Sequence, residues 1–150
     1  MFFLDDNRVD LITCFVTLHH VPNLNAMLLQ LVRILKPGGY LILREHDCKR
    51  EYSLKMKYLN FIHAFMMIVR IGEFARPPID HDNQETSEFT DWEQLKANII
   101  NYTSSIQYHA RNEWDTMLNN IGFKWKVTFE YASSKNPQAL YYSVFQLHSK

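Results

Sequence analysis

Val9-Asp10-Leu11-Ile12-Thr13-Cys14-Phe15-Val16-Thr17-Leu18-His19-His20, then Leu24 to Leu35, then Lys36-Pro37-Gly38-Gly39-Tyr40-Leu41-Ile42-Leu43-Arg44-Glu45-His46-Asp47 decide the fold. Val9 to Leu18 is rich in β-branched and aromatic residues and does not alternate polar with apolar. That pattern predicts a strand buried on both faces, as in a parallel sheet. Pro22 stops it, and Asn23 can cap a helix from Leu24 to Leu35. Leu24, Leu28, Leu31, Val32 and Leu35 follow helical spacing. The Gly38-Gly39 pair is expected to end that helix, because glycine accepts the left-handed conformation. Tyr40 to Leu43 is the next short strand.

Strand, helix, strand over this length is a βαβ unit with parallel strands and a right-handed crossover. Ligands in such sheets bind outside the carboxyl ends of the strands. Two polar clusters sit at those ends, Thr17-Leu18-His19-His20 and Glu45-His46-Asp47. They are expected to converge on one edge of the sheet.

Upstream of this unit, residues 1–8 are an apolar scrap followed by an Asp/Asn turn. Residues 51–74 carry a long apolar helix with Leu54, Tyr58, Phe61, Ile62, Phe65, Met66, Ile68 and Val69. Packing into the core is the preferred reading of that stripe, with a substrate lid as the alternative. Gly72 and Pro77-Pro78 break it, and residues 76–90 read as a polar loop. Asp91 can cap a helix to about Asn101, and residues 106–109 read as a link or short strand. Asn112 to Asn120 reads as a helix with Trp114, Met117, Leu118 and Ile121 on one face, closed by Gly122. Phe123 to Tyr131 alternates with period 2, residues 133–138 form a loop, and Leu140 to Leu147 is the final strand. The last two strands should form an antiparallel hairpin.

Composition bounds the rest. A chain of 150 residues supports a single domain with a real core. Sixteen basic residues balance sixteen acidic ones, so no global charge footprint points to nucleic acid. Cys14 and Cys48 show no metal or disulfide spacing, which favours a reducing, cytoplasmic setting. The most apolar later run, residues 58–69, falls short of the about 20 residues a membrane span needs. No membrane association is expected.

Residues 5–47, with Leu18-His19-His20 closing the first strand and Leu35-Lys36-Pro37-Gly38-Gly39 opening the second, resemble the later half of class I S-adenosylmethionine-dependent methyltransferases. They look like that family's fourth strand, the following helix and the fifth strand. The segment from Asn112 to Phe123 is similar to the helix before the family's terminal hairpin. The resemblance implies an α/β fold with a partial Rossmann-like sheet ending in an antiparallel hairpin. The single domain then divides into a core over 5–50, a helical lid or insertion over 51–105, and a terminal helix and hairpin over 110–148. It implies S-adenosylmethionine as cofactor and Val16, Thr17, Leu18, His19 and His20 as its contacts, near the methionine end. Glu45, His46 and Asp47 would lie near the methyl acceptor, which could be a small molecule, a protein or a nucleic acid.

One departure qualifies the resemblance. The glycines stand only at 38, 39, 72 and 122, so the family's Gly-rich cofactor turn is missing. The chain therefore reads as the carboxyl-terminal part of such a domain, a truncated form with weak or no activity alone. Its first strand should be a sheet edge able to pair over 9–18 with a second copy or a separate chain. Two other function classes stay open: a non-catalytic partner of a methyltransferase, and a metal-dependent enzyme built on His19, His20, Glu45, His46 and Asp47. The spacing of those five matches no known metal signature, so no metal is assigned. His46 or Glu45 could act as a general base. Methyl transfer needs mainly in-line placement, so no catalytic residue is assigned. Strand-end histidines that merely cap a loop are the ordinary alternative to site residues.

Overall fold

The computed structural model describes residues 4–49, 53–75, 92–130 and 137–148. Four strands form one sheet: β1 (Val9–Phe15), β2 (Leu35–His46), β3 (Phe123–Glu130) and β4 (Leu140–Leu147). Their spatial order is β1-β2-β4-β3. β1 and β2 are parallel, and β2-β4 and β4-β3 are antiparallel. Helix α1 (Leu24–Ile34) is the crossover between the parallel strands. Helices α2 (Leu54–Val69), α3 (Trp92–Ser105) and α4 (Arg111–Asn120) follow. The expected partial Rossmann-like sheet with a terminal hairpin is thus the observed fold, and among the described residues β1 lies at its edge.

α1 begins where Asn23 accepts the amide of Ala26, a side-chain cap. It buries Leu24, Leu28, Leu31 and Ile34. The expected glycine stop is not what ends it. The helix ends at Leu35, which is already extended at ψ 135°, and Pro37 keeps Lys36 from continuing the helix. Gly38, at φ +81°, instead lies inside a long β2 that starts at Leu35. There the register slips, from Val9 opposite Leu35 to Leu11 opposite Tyr40. Gly39 is enclosed: a Cβ on it would lie 2.9 Å from Leu35 and from the Lys36 carbonyl.

The main core joins α1 and α4 to one face of the sheet. It holds Cys14, Leu28, Leu31, Leu41, Leu43, Trp114, Leu118, Phe123, Phe145 and Leu147. Among the described residues the opposite face is open. Along one row of the register, Phe15, Arg44, Tyr142 and Phe129 are neighbours across all four strands. Leu11 is 53% exposed and Phe129 60%. The expectation that Val9 to Leu18 is a strand buried on both faces is therefore corrected. The strand stops at Phe15, and only one of its faces is covered among the described residues. Its apolar residues occur on both faces, but α1 and α4 lie on the same side.

The inward-packing reading of the run from Tyr58 to Val69 is corrected as well. Of α2 only Leu59 and His63 are buried, while Leu54, Phe61, Phe65, Ile68 and Val69 face outward. Arg70, left-handed at φ 55°, caps it before Gly72 is reached. Leu59 joins Cys48, Ile106 and Tyr108 in a second, smaller core over the carboxyl ends of β1 and β2. Residues 106–109 are a link, not a strand, and the amide of Gln107 donates to the carbonyl of His19. On β3, Trp125, Val127 and Phe129 face outward, and the register shifts between Trp125 and Val127. The 76–90 loop, the Asp91 cap and most of the 133–138 loop lie outside the described residues.

The packing yields a stability test. Phe145 is fully buried, so Phe145→Ala is expected to cost about 3–5 kcal/mol in chemical denaturation. Phe129→Thr, on the open face, should cost under about 1 kcal/mol.

Candidate functional site

The two strand ends meet through one carboxylate. Glu45, the penultimate residue of β2, is 1% exposed. Its Oε1 accepts the amides of Thr17 and Leu18 at 3.2 and 2.9 Å. Its Oε2 accepts from His19 Nδ1 at 2.6 Å. Both oxygens are committed to the segment that leaves β1. This suits a buried carboxylate, whose charge is tolerable only when satisfied by hydrogen bonds and a partner.

Between β1 and this segment, Val16 takes φ 54°, a left-handed value that is an outlier for a β-branched residue. Its amide donates to the carbonyl of Arg44 at 2.7 Å, the last rung between β1 and β2. The chain then turns through a short 3-10 helix, Leu18–His20. A conformation costing about 1–3 kcal/mol persists because the bonds on either side over-determine it.

The turn presents His19 and His20 side by side, with ring centroids 3.9 Å apart. His63 reaches them from α2, at 5.9 and 5.2 Å between centroids. Tyr108 stacks on His19 at 5.7 Å, and Tyr102 of α3 stacks on His20 at 5.7 Å. His46 lies edge-on to His19 at 5.4 Å and donates its Nδ1 proton to the carbonyl of Gln138. Burial is the main cause that lowers the His46 pKa to about 4. The Gln138 carbonyl and Glu45 oppose the shift, while His19 and His63 add to it. His46 is therefore a neutral imidazole near pH 7. Burial likewise raises the Cys14 thiol to about 11, as befits an inert core residue.

Val16 to His20 and Glu45-His46 come together at the carboxyl ends of β1 and β2. Glu45 is enclosed and acts on the backbone and on His19. Asp47 turns away: its Oδ1 accepts the amide of Arg111, at the start of α4. It lines a separate open cleft of about 470 Å³ with Lys49, Ser53, Lys55, Arg111 and Asn112. The five-residue set of His19, His20, Glu45, His46 and Asp47 is thus divided between two places. His63, Tyr102 and Tyr108 complete the cluster and were not singled out from sequence. The signal for His63 is slight: one imidazole in an apolar helical run, a single turn after the buried Leu59.

Residues 4–126 match the family described as a methyltransferase domain. The chain is 25% identical over 130 residues to the 2-methoxy-6-polyprenyl-1,4-benzoquinol methylase of Bos taurus, covering 87% of this chain and 34% of that protein. It is 32% identical over 94 residues to a demethylmenaquinone methyltransferase of Staphylococcus saprophyticus, covering 61% and 40% respectively. The chain thus spans well under half the length of these curated relatives. A solved SAM-dependent methyltransferase of Thermotoga maritima, described as a possible histamine N-methyltransferase, superposes with a TM-score of 0.57 at 19% identity. That overlap covers 98% of this chain and 60% of that one.

Two tests follow from the geometry. Glu45→Ala strips three donors of their acceptor and is expected to destabilise the fold by about 3–5 kcal/mol in urea titration. For His46, the unfolded group titrates near 6.5 and the folded one near 4. Between those values the unfolded chain binds the extra proton. Stability is complete above about pH 6.5 and falls as pH drops toward 4. Urea midpoints at pH 7 and pH 5 should show this difference, and His46→Gln should shrink it.

Proposed function

Because the chain belongs to the methyltransferase-domain family, of the class I S-adenosylmethionine-dependent kind, we propose that it serves methyl transfer from S-adenosylmethionine, with residues 16–20 and 45–46 as the methionine-end and acceptor-side half of the site. The observation that carries this reading is the family match over residues 4–126. The convergence of the two strand ends supports it, since ligands of such sheets sit outside those ends. In methyl transfer the acceptor attacks the methyl carbon in line with the sulfonium sulfur, which leaves as a neutral thioether. Placement supplies much of the rate. Glu45 is a positioning residue in this scheme: it fixes the turn at 17–19 and the orientation of the His19 ring.

Residues 1–150 hold no Gly-rich turn, the element that brings backbone close to such a cofactor. The affinity of this stretch alone for S-adenosylmethionine is accordingly weak. Calorimetry with S-adenosylmethionine is expected to give weak or undetectable heat, and tight stoichiometric binding would overturn the half-site reading. Placement of the cofactor is checked by ultraviolet cross-linking of radiolabelled S-adenosylmethionine at high concentration, followed by peptide mapping. Label should fall on a peptide containing residues 16–20 and be displaced by excess S-adenosylhomocysteine. Label confined elsewhere would sink the assignment.

A second reading, a non-catalytic partner of another methyltransferase chain, is favoured by the open sheet face with Leu11, Phe15 and Phe129. Under it the chain associates with that partner but takes no label at residues 16–20.

A further inference from the structure

We infer that His19, His20 and His63 form a binding site for a divalent transition-metal ion. Each offers one ring nitrogen, and the three nitrogens lie within 4.8 Å of one another. Only His19 and His20 are near in sequence. The third ligand arrives from α2, 43 positions beyond His20, so the site exists only in the folded chain.

The arrangement of outer partners is the second observation. His19 Nε2 is fully buried and, among the described residues, has no hydrogen-bond partner. Its other nitrogen, Nδ1, is held at 2.6 Å by Glu45, itself fixed by two backbone amides. A carboxylate on Nδ1 favours the tautomer in which Nε2 carries the lone pair. A buried imidazole nitrogen without a partner is costly in a purely structural histidine. Coordination to a cation removes that cost.

The other two rings follow the same pattern. The carbonyl of Leu59, one turn earlier in α2, accepts from His63 Nδ1 at 2.9 Å. The Tyr102 hydroxyl oxygen lies 3.1 Å from His20 Nδ1 and can accept its proton. In all three rings an outer partner engages Nδ1, and the Tyr108 hydroxyl also reaches His63 Nδ1 at 3.1 Å. The tautomers that carry the proton on Nδ1 leave Nε2 as the donor to the ion.

The chemistry selects the ion. Three neutral imidazoles suit zinc and its first-row neighbours, and disfavour magnesium and calcium, which take oxygen ligands. Zinc–nitrogen bonds of about 2.0–2.1 Å place tetrahedral ligands roughly 3.3 Å apart. The rings therefore draw inward when the ion enters, and the half-buried His20 has the freedom to move. Three protein ligands leave a fourth position for water or an oxygen of another molecule. This differs from a site on His19, His20, Glu45, His46 and Asp47, since Glu45 supports a ligand instead of being one and Asp47 lies in another cleft.

The test uses the full chain, purified in chelator and titrated with Co2+ and then Zn2+, without S-adenosylmethionine. It reads metal binding alone, so its outcome is independent of methyl transfer. One Co2+ per chain is expected, with the visible bands of a low-coordinate ion, displaced by Zn2+. Thermal stability should rise with Zn2+. Glu45→Gln should weaken binding about 10–100-fold, as loss of an outer-shell partner does. His20→Ala and His63→Gln should weaken it more, and His148→Gln, at an exposed position, should leave it unchanged. His20→Ala removes a half-buried ring at a turn, so its fold is checked by circular dichroism. The inference is overturned if the folded chain binds no Co2+, or if binding persists at full strength in both His20→Ala and His63→Gln.

Discussion

The buried carboxylate of Glu45 is the constraint on which this structure turns. It sits at the end of β2 and bonds to two amides and one imidazole of the segment leaving β1. Adjacent parallel strands need only backbone pairing to run side by side. Nothing in that pairing decides how the chain behaves after the last rung. Glu45 makes that decision. It holds the amides of Thr17 and Leu18 in one direction, which keeps Val16 left-handed and starts the short 3-10 turn. Everything beyond, including the paired histidines and the docking of Gln107 on the His19 carbonyl, inherits that direction.

A second layer depends on the first. α2, α3 and the 106–109 link contribute Leu59, Tyr102, Ile106 and Tyr108 to a small core lying over the strand ends. Three of the cluster's rings, His63, Tyr102 and Tyr108, come from this layer. The site is therefore not a sheet edge with loops above it. It is an interface between the βαβ core and a helical cap. The core supplies Glu45 and His19, and the cap supplies His63.

The βαβ unit, α4 and the terminal strands were legible because local pattern dictates them. Alternation in Phe123 to Glu130, helical spacing from Leu24 and the Asn23 cap each have one economical reading. The convergence of Leu18-His19-His20 with Glu45-His46 was legible from topology alone. Other features were not. Apolar residues on both faces of β1 announce that both faces want cover, but not whether these residues supply it. The long apolar run of α2 speaks for burial, yet among the described residues it buries only Leu59 and His63, with Met56 and Tyr58 partly buried against the small core. The left-handed Val16 contradicts the ordinary preference of its side chain, so no propensity could point to it. The role of Glu45 was hidden for a different reason: a carboxylate at a strand end reads equally as a reactive group and as a structural anchor, and only its partners tell them apart.

The sheet's open face and its β1 edge lie at right angles. Among the described residues, β1 pairs with β2 alone, so its outer backbone groups can take another strand along the plane of the sheet. Phe15 and Phe129 on the open face offer adhesion perpendicular to that plane. A protein that sticks in one direction closes into a dimer, but one that sticks in two unrelated directions grows without closing. With sixteen positive and sixteen negative side chains, no net repulsion limits that growth. A single covering segment that adds a strand beside β1 and then folds back over the open face would close both directions at once. Two separate covers would each leave the other direction open.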